Sequence, residues 1–397
     1  QVTELPKRPW VVLAGLALGV TVTNGFARFA YGLIVPAMQS DLGWNYAQAG
    51  WLNTANALGY IAGAVLTMLL IGRYSAASLF SFGLITTNLA LLSTGLIPDL
   101  WWQTLWRILA GFFGAMSFST AGVLAAGLFA NDPRRNALAI AIVFGTGGGL
   151  AIVVSGASLP LFLEYFGADH WPIAWIIIAA ICALFLPLCL WSAAKLKRPA
   201  AKQADASVPL KLVQIWAQLA GYAGFGLGYI VFLTFLSAWM TQQAASAGFI
   251  AAVWVLLGLC ICISPFVWRP ILARHASGLP LTMILTCISL GSALPVVFPG
   301  NISLLLAAII FGLSVFMAPS AVTNFTRQNL PAQSWGAAIS LFTVVFATAQ
   351  TLGPYAAGLL GDLTGDIGIS LLGASGLLLS GAVIALTQKS LPNRPMN

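Results

Sequence analysis

The sequence predicts an all-α membrane protein with twelve transmembrane helices. Of the 397 residues, 59% are hydrophobic and 7% are charged, whereas a soluble globular domain has about 25% charged residues. The apolar residues form continuous runs near the length of about 20 residues that an α-helix needs to cross a bilayer. Helices satisfy their own backbone hydrogen bonds in lipid, and the 40 glycines allow such helices to pack closely.

Twelve apolar runs mark the predicted spans, and turn-forming residues separate them. The runs cover residues 10–38, 46–70, 76–97, 101–129, 136–162, 171–193, 211–240, 245–268, 279–298, 302–325, 335–360 and 367–388. The longest polar stretch between them covers residues 195–210, which we interpret as a cytoplasmic linker. The predicted domains are therefore an N-terminal six-helix bundle at 1–194, the linker at 195–210 and a C-terminal six-helix bundle at 211–397.

The two halves of the chain resemble each other at a constant offset of 198 residues. The matches lie in the second and fourth helices of each half and in the connection that follows the fourth. Residues 198 positions later repeat Ala47, Ala49, Gly50, Phe113, Gly114, Phe118, Asn131 and Pro133. Two six-helix halves related as a parallel repeat, divided by a central cavity, are the layout of a rocking transporter. We therefore expect two bundles related by pseudo-two-fold symmetry.

Basic residues are distributed as the positive-inside rule requires. All but two of the 17 lysines and arginines fall at the termini or in even-numbered connections, and none falls in an odd-numbered connection. This distribution places both termini in the cytoplasm, and it explains the net charge of +8 without a nucleic-acid partner. Lys7 and Arg8 precede a full-length span, so we expect the first helix to stay in the membrane as an anchor.

Arg28 lies deep inside the first apolar run. A guanidinium in the hydrocarbon core costs several kcal/mol, so it marks a functional site by default. Thr21, Asn24, Arg28 and Tyr31 are spaced three, four and three residues apart and share one helix face. That face is expected to line a polar interior. The alternative is a structural arginine that backbone carbonyls neutralise at a helix break.

Arg107, in the fourth span, is the other arginine within a predicted helix. None of the nine acidic residues lies in the middle of a span, so neither arginine has a carboxylate at its depth. Two guanidiniums near one cavity repel each other, and an anion would gain charge-assisted hydrogen bonds from both. The absence of an intramembrane carboxylate argues against efflux of cationic drugs. Glu164 and Asp41, at outer helix ends, remain candidate titrating groups.

Neutral polar and aromatic residues complete the candidate substrate-binding site. In the first half they are Asn53, Asn56 and Tyr60, on one face of the second helix. In the second half they are Tyr222, Tyr229, Trp254 and Gln350. Each asparagine could instead hold helices together, and each aromatic residue could be ordinary helix packing. The predicted site is therefore cationic and polar in the first half and aromatic in the second.

These features together resemble the major facilitator superfamily over essentially the whole chain. The segments Gly25-Phe-Ala-Arg28-Phe-Ala-Tyr31-Gly-Leu-Ile-Val-Pro36 and Asn53-Thr-Ala-Asn56 resemble its bacterial YbfB/YjiJ-type branch. Arg107-Ile-Leu-Ala-Gly111 is similar to the family's fourth-helix motif, whose arginine faces the cavity and is implicated in coupling. The resemblance implies the major facilitator fold, alternating access and a place in the bacterial inner membrane.

The leading hypothesis is a secondary active transporter that moves a small, carboxylate-type organic anion by alternating access. The first alternative is an exporter of hydrophobic or drug-like compounds, and the second, more remote, is a membrane-embedded enzyme. The sequence offers no nucleophile, acid–base pair or metal-ligand cluster at membrane depth, because the five cysteines lie in apolar runs and both histidines lie at predicted loops. We therefore expect no catalytic residues, metal or cofactor.

The expected partners are the small-molecule substrate, the lipid bilayer and a coupled proton or counter-anion. A monomer is expected to suffice, because the site lies within one chain.

The predicted topology can be tested at residue 202, in the linker. We expect a cysteine introduced by Lys202→Cys to react with a membrane-permeant maleimide but not with an impermeant one added outside intact cells, because basic connections face the cytoplasm. Labelling by the outside reagent alone would contradict this topology.

Overall fold

The computed structural model describes residues 5–129, 132–198 and 210–392. In these ranges the regular secondary structure is helical throughout and forms twelve long helices. They are α1 (Pro9–Leu42), α2 (Tyr46–Leu70), α3 (Ala76–Thr94), α4 (Leu100–Leu128), α5 (133–166), α6 (Trp171–Lys195), α7 (Leu212–Gln242), α8 (Ala247–Arg274), α9 (Leu279–Val297), α10 (Asn301–Asn329), α11 (Ala332–Thr364) and α12 (Ile367–Leu386).

The predicted all-α polytopic membrane fold is confirmed. Among the described residues, eleven helices are long and apolar enough to cross a membrane, and α11, the remaining helix, has 33 residues. Most helix ends lie within four residues of the sequence-based bounds, because the same polar residues that interrupt hydropathy also cap helices. Asp99 caps α4 and Asp366 caps α12, while Gly43 and Gly365 end α1 and α11 in the left-handed conformation.

Tertiary contacts divide the chain into two compact units. The first unit comprises Gln1–Trp44, Ala55–Gln203 and Ala244–Gly258, and the second comprises Asn45–Thr54, Ala204–Gln243 and Leu259–Asn397. Helices α2 and α8 therefore each contribute residues to both units. Residues 199–209 of the predicted linker, and the repeat position Asn131, lie outside the described residues. The predicted division into bundles at 195–210 stays a prediction.

Helix α1 is wound in two different ways along its length. Its ends, Pro9–Val20 and Tyr31–Leu42, are α-helical, whereas Thr21–Phe29 is π-helical. The wider turn is visible in the hydrogen bond of 2.9 Å from the Ala30 nitrogen to the Gly25 carbonyl, five residues earlier. Such segments are rare and frequently mark functional sites. Arg28 and Asn24 both lie within this segment, so their directions differ from those that the α-helical period predicts.

The π-helical segment packs closely against α5, which has a π-helical turn of its own at Ile142–Thr146. The Thr21 hydroxyl donates to the Gly147 carbonyl at 2.7 Å. Gly25 lies so near Ala151 that a methyl group on Gly25 would overlap the Ala151 side chain. Small residues are what allow helix backbones to approach in lipid.

Gly25→Ala is expected to destabilise the protein by about 1–3 kcal/mol, the usual cost of over-packing a tight contact. The double variant Gly25→Ala with Ala151→Gly should recover most of the loss, because it restores the lost space. Thermal unfolding in detergent measures both effects. Gly127→Ala is the matched control, since nothing lies within 4 Å of a methyl group placed there. Equal effects of Gly25→Ala and Gly127→Ala would contradict the packing described.

Candidate substrate-binding site

Arg107 is the less exposed of the two buried arginines described in the first unit, with 1% of its surface exposed. Its Nη1 donates to the Ala27 carbonyl of α1 at 2.8 Å. The guanidinium carbon lies 4.8 Å from the centre of the Tyr31 ring and 5.8 Å from that of Trp175, within the range of cation–π attraction. The other two nitrogens, Nε and Nη2, are buried without a hydrogen-bond partner. The charge of Arg107 is thus only partly compensated.

Asn56 of α2 binds the same carbonyl oxygen. Its Nδ2 donates to the Arg107 carbonyl at 3.0 Å and, more weakly, to the Ala27 carbonyl at 3.5 Å. Ala27 is therefore the point at which the π-helical segment of α1 is joined to α2 and α4. This contact corresponds to the structural role that the sequence left open for Asn56, while its Oδ1 is buried and has no partner.

Glycines bring the backbones of α2 and α4 together beside this junction. A methyl group on Gly59 would overlap the Ile108 carbonyl, and one on Gly111 would overlap the Asn56 carbonyl. A methyl group on Gly63 would likewise overlap the Phe112 carbonyl. The two helices consequently pack backbone against backbone, and this packing fixes Asn56 and Arg107 relative to each other.

Arg28 is also buried, with 4% of its surface exposed. Its guanidinium carbon lies 4.7 Å from the centre of the Tyr60 ring and 5.6 Å from that of Phe29. The charges of Arg28 and Arg107 act on each other, and like charges at this depth repel. In the described part of the chain no carboxylate forms an ion pair with Arg107. The first unit therefore holds two buried cations on aromatic faces.

The predicted site residues divide between the two units. The first unit holds Asn24, Arg28, Tyr31, Asn56, Tyr60, Arg107 and Trp254. The second unit holds Asn53, Tyr222, Tyr229 and Gln350. Asn53 and Asn56, expected to act together on one helix face, are thus assigned to different units. Asn53 donates to the Thr234 hydroxyl at 2.6 Å, so it joins α2 to α7.

An aromatic stack dominates the site residues of the second unit. Phe346 of α11 lies 5.4–5.6 Å, between ring centres, from each of Tyr222, Phe225 and Tyr229 on α7. Their planes are within 29° of that of Phe346, so the rings are stacked rather than edge-to-face. The Tyr229 hydroxyl donates to the Gln350 Oε1 at 2.7 Å. Tyr222, Tyr229 and Gln350 are therefore brought together as one layer.

Trp254 is fully buried but packs elsewhere. It belongs to the first unit, where a methyl group on Gly156 of α5 would lie 2.6 Å from its Cβ. This close contact between α5 and α8 is of the kind expected for ordinary helix packing.

Sequence reasoning did not identify Trp175, Thr234 or Phe346. Trp175 is one of 14 tryptophans and Phe346 one of 23 phenylalanines, and both lie in apolar runs without a distinguishing neighbour. Thr234 bonds within its own helix as well, to Ile230 at 2.6 Å. The five cysteines are free thiols, and the described residues contain no group of three potential metal ligands.

Solved structures of transporters have a similar fold. A bacterial homologue of the human lysosomal transporter Spinster, in an inward-facing and unoccupied conformation, has a TM-score of 0.66 at 15% identity, covering 96% of this chain and 95% of that chain. The nucleoside transporter NupG has a TM-score of 0.67 at 14% identity, covering 95% of this chain and 98% of that chain. At such identities the likeness concerns the fold alone, which is the major facilitator fold. No curated protein matches the sequence.

The family comparison covers nearly the whole chain. The model described as "Uncharacterised MFS-type transporter YbfB" matches residues 20–386, a range that includes both arginines and every other predicted site residue. The resemblance noted from the first helix is therefore confirmed, and the chain belongs to this family of major facilitator superfamily transporters.

Proposed function

We propose that this transporter binds a small organic anion of the carboxylate type through Arg107 and Arg28, and moves it across the membrane by alternating access. The family supports transport as the general activity. The two buried guanidiniums of the first unit support the anionic class of substrate. We further propose that both termini lie in the cytoplasm of a bacterium, that protons or a counter-anion are coupled to transport, and that a single chain suffices.

The unpaired nitrogens of Arg107 carry this proposal. A buried charge is costly unless it is paired and hydrogen-bonded, and the Ala27 carbonyl occupies only one of the three guanidinium nitrogens. The rings of Tyr31 and Trp175 contribute attraction but accept no ordinary hydrogen bond. A carboxylate could accept two parallel hydrogen bonds from Nε and Nη2, a geometry that the planar guanidinium favours.

In this proposal Asn24, Tyr31, Asn56 and Tyr60 lie around the arginines, whereas the sequence-based prediction also included Asn53 in this set. The other candidate residues stay predicted contributors to substrate binding: Asn53, Tyr222, Tyr229, Trp254 and Gln350.

The aromatic stack at Phe346 favours a second candidate function, which is the export of hydrophobic or drug-like compounds. Such a substrate would bind through its apolar surface, and it would not need the negative charge.

A comparison of carboxylates with their amides tests the charge requirement. Ligand binding stabilises the folded state by mass action, by about 2.7 kcal/mol at a concentration of 100 Kd. We expect at least one carboxylate of a small-acid panel to raise the melting temperature of the purified protein with dose, and its amide not to do so. Equal stabilisation by acid and amide would contradict anion recognition and favour the exporter of hydrophobic compounds.

Substitutions then locate the binding charge. Arg28→Ala and Arg107→Ala should each abolish the dose-dependent shift, and Arg28→Lys should weaken it, because lysine keeps the charge but lacks the planar fork. Arg73→Ala, at an exposed arginine in the α2–α3 connection, is the control and should leave the shift intact. A full shift in both alanine variants would overturn the proposed site.

A further inference from the structure

Asn56, which donates to the same Ala27 carbonyl as Arg107, has an acceptor atom that is buried and unpaired. The Asn56 amide is oriented by its two hydrogen bonds, because a flipped amide would turn Oδ1 toward the Ala27 and Arg107 carbonyl oxygens. Its Oδ1 is thereby fixed as an acceptor, and it is buried with no partner in a residue 1% exposed. Asn56 and Arg107 bind the same carbonyl oxygen, so their unpaired atoms belong to one site.

Asn24 supplies a second acceptor of the same kind. It lies on the π-helical segment, three residues before Ala27, and its Oδ1 is also buried without a partner. The junction therefore has two unpaired donors, both on Arg107, and one unpaired acceptor on the neutral Asn56 amide, and Asn24 has a further unpaired acceptor on the same π-helical segment as Ala27. A group that only accepts hydrogen bonds would leave the amide oxygens unsatisfied, which is unfavourable for buried polar atoms.

The positive charge of Arg107 and Arg28 restricts which hydrogen-bond donor a ligand can have at this junction. An ammonium group would be repelled by Arg107 and Arg28. A hydroxyl group donates a hydrogen bond without positive charge, and it can also accept one. We propose that the substrate is a hydroxy-carboxylate, whose carboxylate binds Arg107 and whose neighbouring hydroxyl donates to Asn56 or Asn24. This inference rests on the proposed function and narrows its substrate class.

Matched acids that differ by one hydroxyl test the inference. The probes are lactate against propionate, malate against succinate, and 3-phenyllactate against 3-phenylpropionate, each titrated in the thermal-shift assay with the corresponding amides. We expect the hydroxy acid of at least one pair to bind roughly 5- to 150-fold more tightly than its parent acid, the range for satisfying one buried polar atom. Asn24→Ala and Asn56→Ala should reduce this ratio.

The outcomes separate this inference from the proposed function. Preference for acids over amides with equal binding of hydroxy and parent acids would overturn only the hydroxy-carboxylate inference, and so would an undiminished ratio in both asparagine variants. No preference for acids over amides would overturn the proposed function itself. Asn88→Ala is the control, because Asn88 on α3 also has a buried, unpaired Oδ1. It should keep the wild-type ratio.

Discussion

The hydrogen bond from Arg107 to the Ala27 carbonyl is the interaction on which the first unit depends. The hydrocarbon of the bilayer contains no hydrogen-bond acceptor for a buried guanidinium. The protein supplies the Ala27 carbonyl oxygen and the rings of Tyr31 and Trp175 instead, within close-packed helices. Those features are linked, because Ala27 lies in the π-helical segment and Asn56 reaches it only where glycines let α2 approach α4. The position of the Ala27 carbonyl oxygen therefore depends on the π-helical winding of α1, and its hydrogen bonds to Arg107 and Asn56 depend on the close packing of α2 and α4.

Hydropathy and charge were sufficient to predict the helices, and the reason is physical. A chain in lipid must satisfy its backbone hydrogen bonds within each span, so apolar length translates almost directly into helix length. The same reasoning identified Arg28 and Arg107, because charge at membrane depth is rare and costly. Composition contains no comparable signal for the π-helical segment, since residues such as Thr21 and Phe26 are ordinary members of an α-helix.

Partners of the site residues were harder to predict than the residues themselves. Arg107 binds a main-chain oxygen, which every residue possesses, and Trp175 differs in no visible way from the other tryptophans. Asn53 and Asn56 share a helix face in sequence, yet one contacts Thr234 and the other contacts Ala27. The contrast between a cationic first unit and an aromatic second unit was visible in the sequence, whereas the stacking on Phe346 depends on tertiary structure.

The aromatic face beneath Arg28 has a consequence for how the chain enters the membrane. Tyr60 follows Arg28 by 32 positions, and synthesis at about 5–20 residues per second makes it roughly two to six seconds later. During that interval Arg28 is present in the first span but Tyr60 has not yet been synthesised. Insertion of an arginine at the centre of a helix costs about 2.5–3.5 kcal/mol. Until Tyr60 is made, this cost must be offset within the first span, where the Phe29 ring and the apolar residues that flank the π-helical segment are already present. The hydrophobicity of Pro9–Val20 and Tyr31–Leu42 therefore serves biogenesis as well as the finished bundle.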